Sequence, residues 1–426
     1  MSSSTALGSD AVVVARLSWD AASSVDVDLQ AIIVDTRGRI IDAAYYNNMK
    51  CGKAVVHSGD EGGEAGRDSR EEVRITFPQV QANVHMIIVL ATCFTGGSLR
   101  DAPGAVVAME QLKPAKRPLG QSSLSGSTGC GVILSAFARS SSGGWHLRSV
   151  NEQLPTARHF MDCLDELNRH IVAEIPTANR RQKVAFAMEK GEVLDFGSSL
   201  QTVTLGLGWD VDQGEIDLDA SAVIFDNSSN VLESVFFGNL RSCLQHSSPG
   251  AVVHSGDNLT GAGDGDDEQI TVQLSALGDS VHDVFFCIHI YSKGRGGRPK
   301  TFREVANPYC RVVEGTAGDE LCRYTLTEAG DRSGLIIARL RRSPDGRWGF
   351  NAMGIPSKGT MYKDSIGDMQ RMTKVDPRTL QRADTKALRS QPTLTLEGAP
   401  EAAHVPLMPV IAEAPASDSK ACCSVQ

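Results

Sequence analysis

The chain has 426 residues, 41% of them hydrophobic, so two or three domains with proper cores are expected. A formal net charge of −9 argues against general nucleic-acid binding, which requires a basic surface, and favours cations as ligands. Ten cysteines without a CxxC pair and an N terminus without a secretory leader argue against a disulfide framework or zinc ribbon, and predict a cytoplasmic protein.

The first part of the chain is typical of β-structure. Short buried or alternating runs at 27–34, 85–94 and 132–137 predict strands, and turn residues recur between the runs. The stretch 114–129 is rich in Pro, Ser and Gly, which predicts a loop. This spacing of strands and turns is typical of an antiparallel sandwich.

A helix is predicted to close this region. Phe160, Leu164, Leu167 and Ile171 are spaced so that they share one helical face. The first domain is therefore expected to be mainly β with a short helix at its end.

The chain then repeats itself. Residues 207–225 match 17–34, and the heptapeptide AVVHSGD occurs at both 54–60 and 251–257. The four tryptophans recur at equivalent places and are predicted to be core anchors: Trp19, Trp145, Trp209 and Trp348. An internal duplication of this kind fixes the architecture before any other argument.

The repeat divides the chain into three parts. We predict two tandem β-sandwich domains at 11–172 and 183–373, each mainly β with a few short helices. Residues 374–426 are rich in Pro, Ala, Ser and Thr, and are predicted to form a flexible tail.

An acidic, glycine-rich loop at 256–268 stands out in the second copy. Hard oxygen donors at this density suit Ca²⁺, and glycines let the backbone fold tightly around an ion. Asp217 and Asp219 alternate along a predicted strand, so both carboxylates project from the same face. The loop adds further acids to this pair: Asp257, Asp264, Asp266, Asp267 and Glu268. The spacing differs from an EF-hand, and a solvated turn is the alternative interpretation.

The equivalent loop of the first copy, 59–71, is expected to bind calcium weakly or not at all. It places Arg67, Ser69 and Arg70 where the second copy has aspartates. Guanidinium groups would pair with the carboxylates and repel a dication. One competent site, in the second copy, is the prediction.

No catalytic motif supports an enzyme. His254 and Ser255 have the residue types of a hydrolase triad, but neighbouring residues on an extended segment point to opposite faces. The sequence lacks GxSxG, HExxH and Walker A motifs. A structural histidine leading into the loop is the preferred interpretation.

The last four residues fit a CaaX box of the farnesyl class. In a eukaryote, Cys423 is predicted to be farnesylated, and Cys422 is a candidate for S-palmitoylation, because one lipid chain alone gives only marginal membrane binding. The alternative is an ordinary tail with two exposed thiols.

The segments GLGWD, DLDAS and GDNLTGAGDGDDE of the second copy resemble the TerD family of tellurium-resistance and chemical-stress proteins. The first copy is similar to a diverged member that keeps SWD, DVDL, YYNN and VVHSGD. The resemblance implies a β-sandwich that binds Ca²⁺. The ligands it implies are Asp217, Asp219, Asp257, Asn258, Asp264, Asp266, Asp267 and Glu268.

The sequence therefore favours a non-enzymatic, calcium-binding stress-response adaptor with an unidentified protein partner and a lipidated tail at the cytoplasmic face of a membrane. A metal-dependent hydrolase that uses the same carboxylates is the alternative. Calcium-bridged binding to anionic lipid headgroups is a third hypothesis.

Overall fold

The structure is a computed structural model. It describes residues 4–20, 25–59, 69–93, 96–179, 184–211, 217–245, 247–258, 265–291, 300–316, 318–326, 330–357 and 359–375.

The first sandwich consists of two six-stranded sheets. Its strands are β1 (Ser4–Leu7), β2 (Val12–Trp19), β3 (Val27–Asp35), β4 (Ile40–Ala44), β5 (Lys50–Cys51), β6 (Val55–His57), β7 (Ser69–Thr76), β8 (Val84–Cys93), β9 (Val106–Lys113), β10 (Arg117–Ser123), β11 (Gly131–Arg139) and β12 (Trp145–Leu154). One sheet has the order β1-β12-β11-β8-β3-β4 and the other β10-β9-β2-β7-β6-β5. All of these strand pairs are antiparallel.

The second sandwich repeats this plan. Its strands are β13 (Phe186–Met188), β14 (Val193–Asp195), β15 (Thr202–Val211), β16 (Asp217–Phe225), β17 (Val231–Phe236), β18 (Val252–His254), β19 (Glu268–Gln273), β20 (Asp283–Tyr291), β21 (Val305–Glu314), β22 (Glu320–Thr325), β23 (Gly334–Arg342) and β24 (Trp348–Ser357). Its sheets have the orders β13-β22-β21-β15-β19-β18 and β14-β24-β23-β20-β16-β17. Only β13 pairs in parallel.

Each sandwich ends in a short helix that covers the outer face of one sheet. Helix α1 (Leu164–Glu174) buries Leu167 and Ile171 against the sheet that contains β3 and β8. Helix α2 (Ile366–Thr373) buries Met369 against the sheet that contains β16 and β20. These sheets are therefore covered on both faces, which explains why β20 is apolar along most of its length and why β3 contains the unbroken apolar run 31–34.

Most of the predicted elements are confirmed. The runs at 27–34, 85–94 and 132–137 form β3, β8 and β11, and their counterparts in the second copy form β16, β20 and β23. All four tryptophans are buried. The predicted loop at 114–129 is wrong, because β10 occupies Arg117–Ser123 and pairs with β9. An edge strand needs no apolar face when water covers it, so its Ser and Gly content resembled a loop. The bounds 11–172 and 183–373 stay predictions.

The two sandwiches contact each other through a segment that we call the covering segment, residues 184–196. Val184 forms a parallel bridge with Ile40, and the Ala185 N–H donates to the Ile40 carbonyl at 2.8 Å. Phe186 and Leu194 belong to the same buried cluster as Ile40 and helix α1. Among the described helices, none is long and apolar enough to span a membrane.

Candidate metal centre

A buried histidine and glutamate hold both ends of the acidic loop. Glu268 at the start of β19 accepts the Ala220 N–H of β16 at 2.7 Å and the Asn258 N–H at 3.2 Å. The Nδ1 atom of His254 accepts the Gly256 N–H at 3.0 Å, so its Nε2 atom carries the proton. This Nε2 lies 3.2 Å from the Ala220 carbonyl and 3.5 Å from Glu268. Gly256 has φ +112°, a conformation that favours glycine.

We call this pair of a buried histidine and a buried glutamate, His254 and Glu268, the bracket, and the first sandwich repeats it with His57 and Glu71. Glu71 accepts the Leu29 N–H at 2.6 Å, and His57 Nε2 lies 2.9 Å from the Leu29 carbonyl. The Gly59 N–H donates to His57 Nδ1 at 3.0 Å. The HSG sequence that both copies share is therefore a device for closing the loop onto the neighbouring sheet. Both ring nitrogens of His254 are engaged in it, which removes the support for the histidine as a catalytic base.

Three carboxylates converge where the bracket brings the loop against β16. Asp217, Asp219 and Asp257 each offer one oxygen, and these oxygens lie within 4.8 Å of one another. Asp217 and Asp219 share a face of β16, whereas Asp257 follows the bracket in the loop. Asp219 is buried, and Asp257 is exposed. The cluster thus reaches solvent through Asp257.

The electrostatics of the cluster favour a cation. Burial, reinforced by the charges of Asp217 and then of Glu268 and Asp257, raises the pKa of the Asp219 carboxyl to about 7, and only His254 opposes this. Carboxylates that disfavour their own ionisation become stable as anions when a dication shares their oxygens. Oxygen-only donors are the ligand type that Ca²⁺ prefers, so the residues fit this ion.

Asp266 has a different environment from these three. It forms a bidentate ion pair with Arg311, with Nε–Oδ1 at 2.7 Å and Nη2–Oδ2 at 3.0 Å. The Tyr309 hydroxyl also donates to it at 3.2 Å. Its carboxylate lies over Gly206, where any side chain would collide with it. The guanidinium of Arg311 therefore already supplies the positive charge that Asp266 needs.

The remaining predicted ligands described by the structure also bond within the protein. Asp267 accepts the Trp209 N–H at 2.9 Å and the Asn258 side-chain amide at 3.2 Å. Glu268 is almost fully buried in the bracket. These bonds shape the loop around the three clustered aspartates. Asp264, Asp60, Arg67, Cys422 and Cys423 lie outside the described residues, as do the side chains of Ser69 and Arg70, so the predictions made for them stay predictions.

The sequence analysis missed the partners of Asp266. Arg311 and Tyr309 lie on β21, more than forty residues after the loop, in a strand without an acidic or glycine-rich signal. The glycines of GLGWD offered the only hint. Gly206 makes room for the Asp266 carboxylate and Gly208 for the Tyr309 ring.

The chain is similar to several known proteins. The model of the TerD domain family matches residues 4–152 and 184–363. The tellurium resistance protein TerZ of Serratia marcescens is 40% identical over 184 residues, which cover 40% of this chain and 89% of that protein. General stress protein 16U of Bacillus subtilis is 33% identical over 190 residues, which cover 42% of this chain and 95% of that protein.

A solved structure from Streptomyces coelicolor, described as a homologue of the telluride resistance protein TerD, is also similar. It shares 24% identity, with a TM-score of 0.34, and the match covers 40% of this chain and 98% of that one. The matched regions of TerZ and of general stress protein 16U each span less than half of the present chain but most of the relative's own length.

Proposed function

The chain belongs to the TerD family, and from this premise we propose that its second sandwich binds Ca²⁺ and acts as a non-enzymatic adaptor in a stress response. The observation that carries the proposal is the convergence of Asp217, Asp219 and Asp257 within 4.8 Å of one another. The named relatives are tellurium-resistance and general stress proteins, which supports the stress-related part.

The three aspartates would hold the ion, and calcium takes 6 to 8 oxygens at about 2.3–2.6 Å. Carbonyls, waters and loop residues such as Asp264 are left to complete the shell. The role of the bracket is to fix Asp257 beside β16 before the ion arrives, because Glu268 and His254 tie the loop to the Ala220 backbone. A prearranged loop reduces the ordering cost of binding.

The effect of calcium on a partner would follow from the loop. Neutralising the three carboxylates removes their mutual repulsion and raises the stability of the loop conformation described above. A surface that is formed only in the ordered loop would then depend on the ion. The protein partner of this adaptor and the lipidation at Cys423 and Cys422 remain predictions from the sequence.

The test is a thermal-shift and calorimetric titration of the full chain with Ca²⁺, with Mg²⁺ as the control ion. Calcium at about 100 times its Kd stabilises a folded protein by ~2.7 kcal/mol, which raises the Tm by roughly 5–10 °C. The rise should disappear in Asp217→Asn with Asp219→Asn. It should persist in the matched first-copy variant, Asp26→Asn with Asp28→Asn.

Two results would contradict the proposal. One is a wild-type chain that neither binds Ca²⁺ nor gains Tm with it. The other is a calcium-dependent rise that is lost in the first-copy variant but kept in the second-copy variant.

A further inference from the structure

The first sandwich shows how one face of this fold is used for docking. The covering segment, 184–196, lies on β4 and the turn that follows it. The Tyr45 hydroxyl donates to the Val193 carbonyl at 2.9 Å and accepts the Asp195 N–H at 3.0 Å. The Asn47 amide donates to the Asp195 carboxylate at 2.7 Å. Two short strands, β13 and β14, joined by a turn at 190–191, are thus held by backbone hydrogen bonds and by apolar side chains.

We call five residues on and near β4 and the turn that follows it the first turn face: Ile40, Ile41, Tyr46, Met49 and His159. Of these, Ile40 bonds directly to the covering segment, because its carbonyl accepts the Ala185 N–H. The repeat assigns the equivalent residues of the second sandwich, the second turn face: Val231, Leu232, Phe237, Leu240 and Met361. The two turns are built alike. Asn48 donates to the Ala43 carbonyl at 2.8 Å, and Asn239 donates to the Ser234 carbonyl at 2.8 Å.

The second turn face is more exposed than the first, in which Ile41 and Tyr46 are half-buried and the other three residues are buried. Ile40 and His159 are fully buried, whereas Val231 is 37% and Met361 46% exposed. Phe237 is 46% exposed. Leu232 and Leu240 are also among the exposed large apolar residues, and only Val56 and Tyr291 belong to that set elsewhere among the described residues. Five of the seven exposed large apolar residues of the described chain thus lie on or near the edge strand β17, and such a concentration is typical of an interaction site.

The chemistry of the second turn face is also more apolar. Phe236 replaces Tyr45, and Gly238 replaces Asn47, so the hydroxyl and amide that hold the covering segment are absent from it. Phe236 packs on the Tyr362 ring at 4.9 Å, as Tyr45 packs on Phe160 at 5.9 Å. An occupant of this face is therefore selected mainly by apolar side chains.

The first sandwich of a second copy of this chain does not supply such an occupant. The strand of the first sandwich equivalent to β14 is β1, which pairs with β12 as β14 pairs with β24. Its sequence, STAL, lacks the large side chains that Phe186 and Phe196 bring to the covering segment. In addition, Leu7, the one large apolar residue of β1, is already buried in its own sandwich.

We propose that the second turn face docks an extended segment of a partner protein whose side chains are apolar, like those of strand β13 in the covering segment. Such a segment adds its backbone to the edge of β17, which is the last strand of its sheet among the described residues, and inserts alternate aromatic or aliphatic side chains between Phe237 and Leu240. The proposal goes beyond calcium binding and does not depend on it, because its contacts are apolar.

The experiment uses the full chain and a fluorescent peptide of residues 184–197, VAFAMEKGEVLDFG, as the probe. Saturable binding is expected by fluorescence polarisation, with at least a tenfold loss of affinity in Phe237→Ser with Leu240→Ser. The matched control is Val56→Ser, which alters an exposed apolar residue on β6 of the first sandwich and should leave the affinity unchanged. A peptide with Phe186 and Leu194 replaced by Ser should bind at least tenfold more weakly.

Three outcomes would overturn the proposal. The first is no saturable binding of the peptide. The second is binding that Phe237→Ser with Leu240→Ser leaves unchanged. The third is a wild-type dimer in sedimentation that the same double substitution dissolves, because a second copy would then be the occupant. Running each arm with calcium and with a chelator separates this test from that of the metal centre, since binding in both conditions supports the proposal.

Discussion

The two sandwiches keep the same buried bracket but differ in the residues around it. His57 with Glu71 and His254 with Glu268 make the same contacts to a neighbouring strand. In place of Gly206, however, the first sandwich has Arg16, which pairs with Glu72 and Glu110 at 3.0 and 3.1 Å. A duplicated fold thus retains the polar contacts that are costly to lose in its interior, while charges at its surface are free to change.

The turns at the ends of β4 and β17 show the same contrast. In the first sandwich this turn carries Tyr45 and Asn47, which hold the neighbouring sandwich. In the second it carries Phe236 and Gly238, and the face beside it is exposed. One copy is therefore specialised for an internal contact and the other for an external one.

The strongest test of the shared bracket is removal of its carboxylate from each copy. Glu268→Ala and Glu71→Ala should each destabilise their own sandwich by about 3 kcal/mol, because buried backbone N–H groups lose their acceptor. Urea denaturation followed by hydrogen exchange at β18 and β6 would assign the loss. A loss of stability below about 1 kcal/mol in either copy would show that the bracket does not stabilise both sandwiches, although its geometry is the same in both.

An exchange of residues between the turns comes next in size. Tyr45→Phe leaves the Val193 carbonyl and the Asp195 N–H without their buried partner, and should cost about 2 kcal/mol. The reciprocal change, Phe236→Tyr, adds a hydroxyl at a partly exposed site and should stay within about 0.5 kcal/mol. Equal effects in a denaturation series would refute the assignment of the two faces.

A pH series would test the sheet beneath the metal centre. Burial lowers the pKa of His289 to about 4, although Asp364 acts in the opposite direction. His289 binds a proton near pH 6.5 in the unfolded chain but only near pH 4 in the folded chain. The stability that depends on neutral His289 is therefore fully present above pH 6.5 and is lost as the pH falls, by roughly 2 kcal/mol at pH 5. Thr92 occupies the same register position in the first sandwich. His289→Thr should therefore reduce the loss of stability between pH 7.5 and 5; an unchanged loss would exclude His289 as its source.

The smallest effect is expected at Asp266. Asp266→Asn weakens the partly exposed ion pair with Arg311 and should cost about 1 kcal/mol. The calcium-dependent rise in Tm should remain, because Asp266 lies outside the cluster of three aspartates. Its disappearance in calorimetry would place Asp266 among the ligands after all, as the family resemblance implies.

Much of the fold was predictable from the sequence because the apolar runs and the tryptophans occur at equivalent places in both copies. Runs such as DVFFCIHIY are buried on both faces, and the paired tryptophans fixed the alignment of the two copies. The β10 strand was not predictable, because an exposed edge strand has neither an apolar face nor a distinct composition.

The candidate site was predictable in part. Alternation along β16 correctly placed Asp217 and Asp219 on one face, and the neighbouring loop brought Asp257 to them. Counting acids could not tell a ligand from a carboxylate that already has a partner. The partner of Asp266 comes from β21, and only the sheet order brings that strand beside β15. The docking face was also invisible, since exposure is a property of tertiary structure.

The covering segment also has a consequence for the order of synthesis. When α1 has been made, Ile40 and Tyr45 still lack their cover, and the ribosome needs about one to four seconds to add the residues up to Phe196 at ~5–20 residues per second. Strand β24, with which β14 later pairs, follows more than 150 residues afterwards. The nascent first sandwich can thus bind the start of the second long before that domain folds. The apolar edge at β4 is then shielded during translation, and the first strands of the second sandwich are positioned on a surface that has already formed.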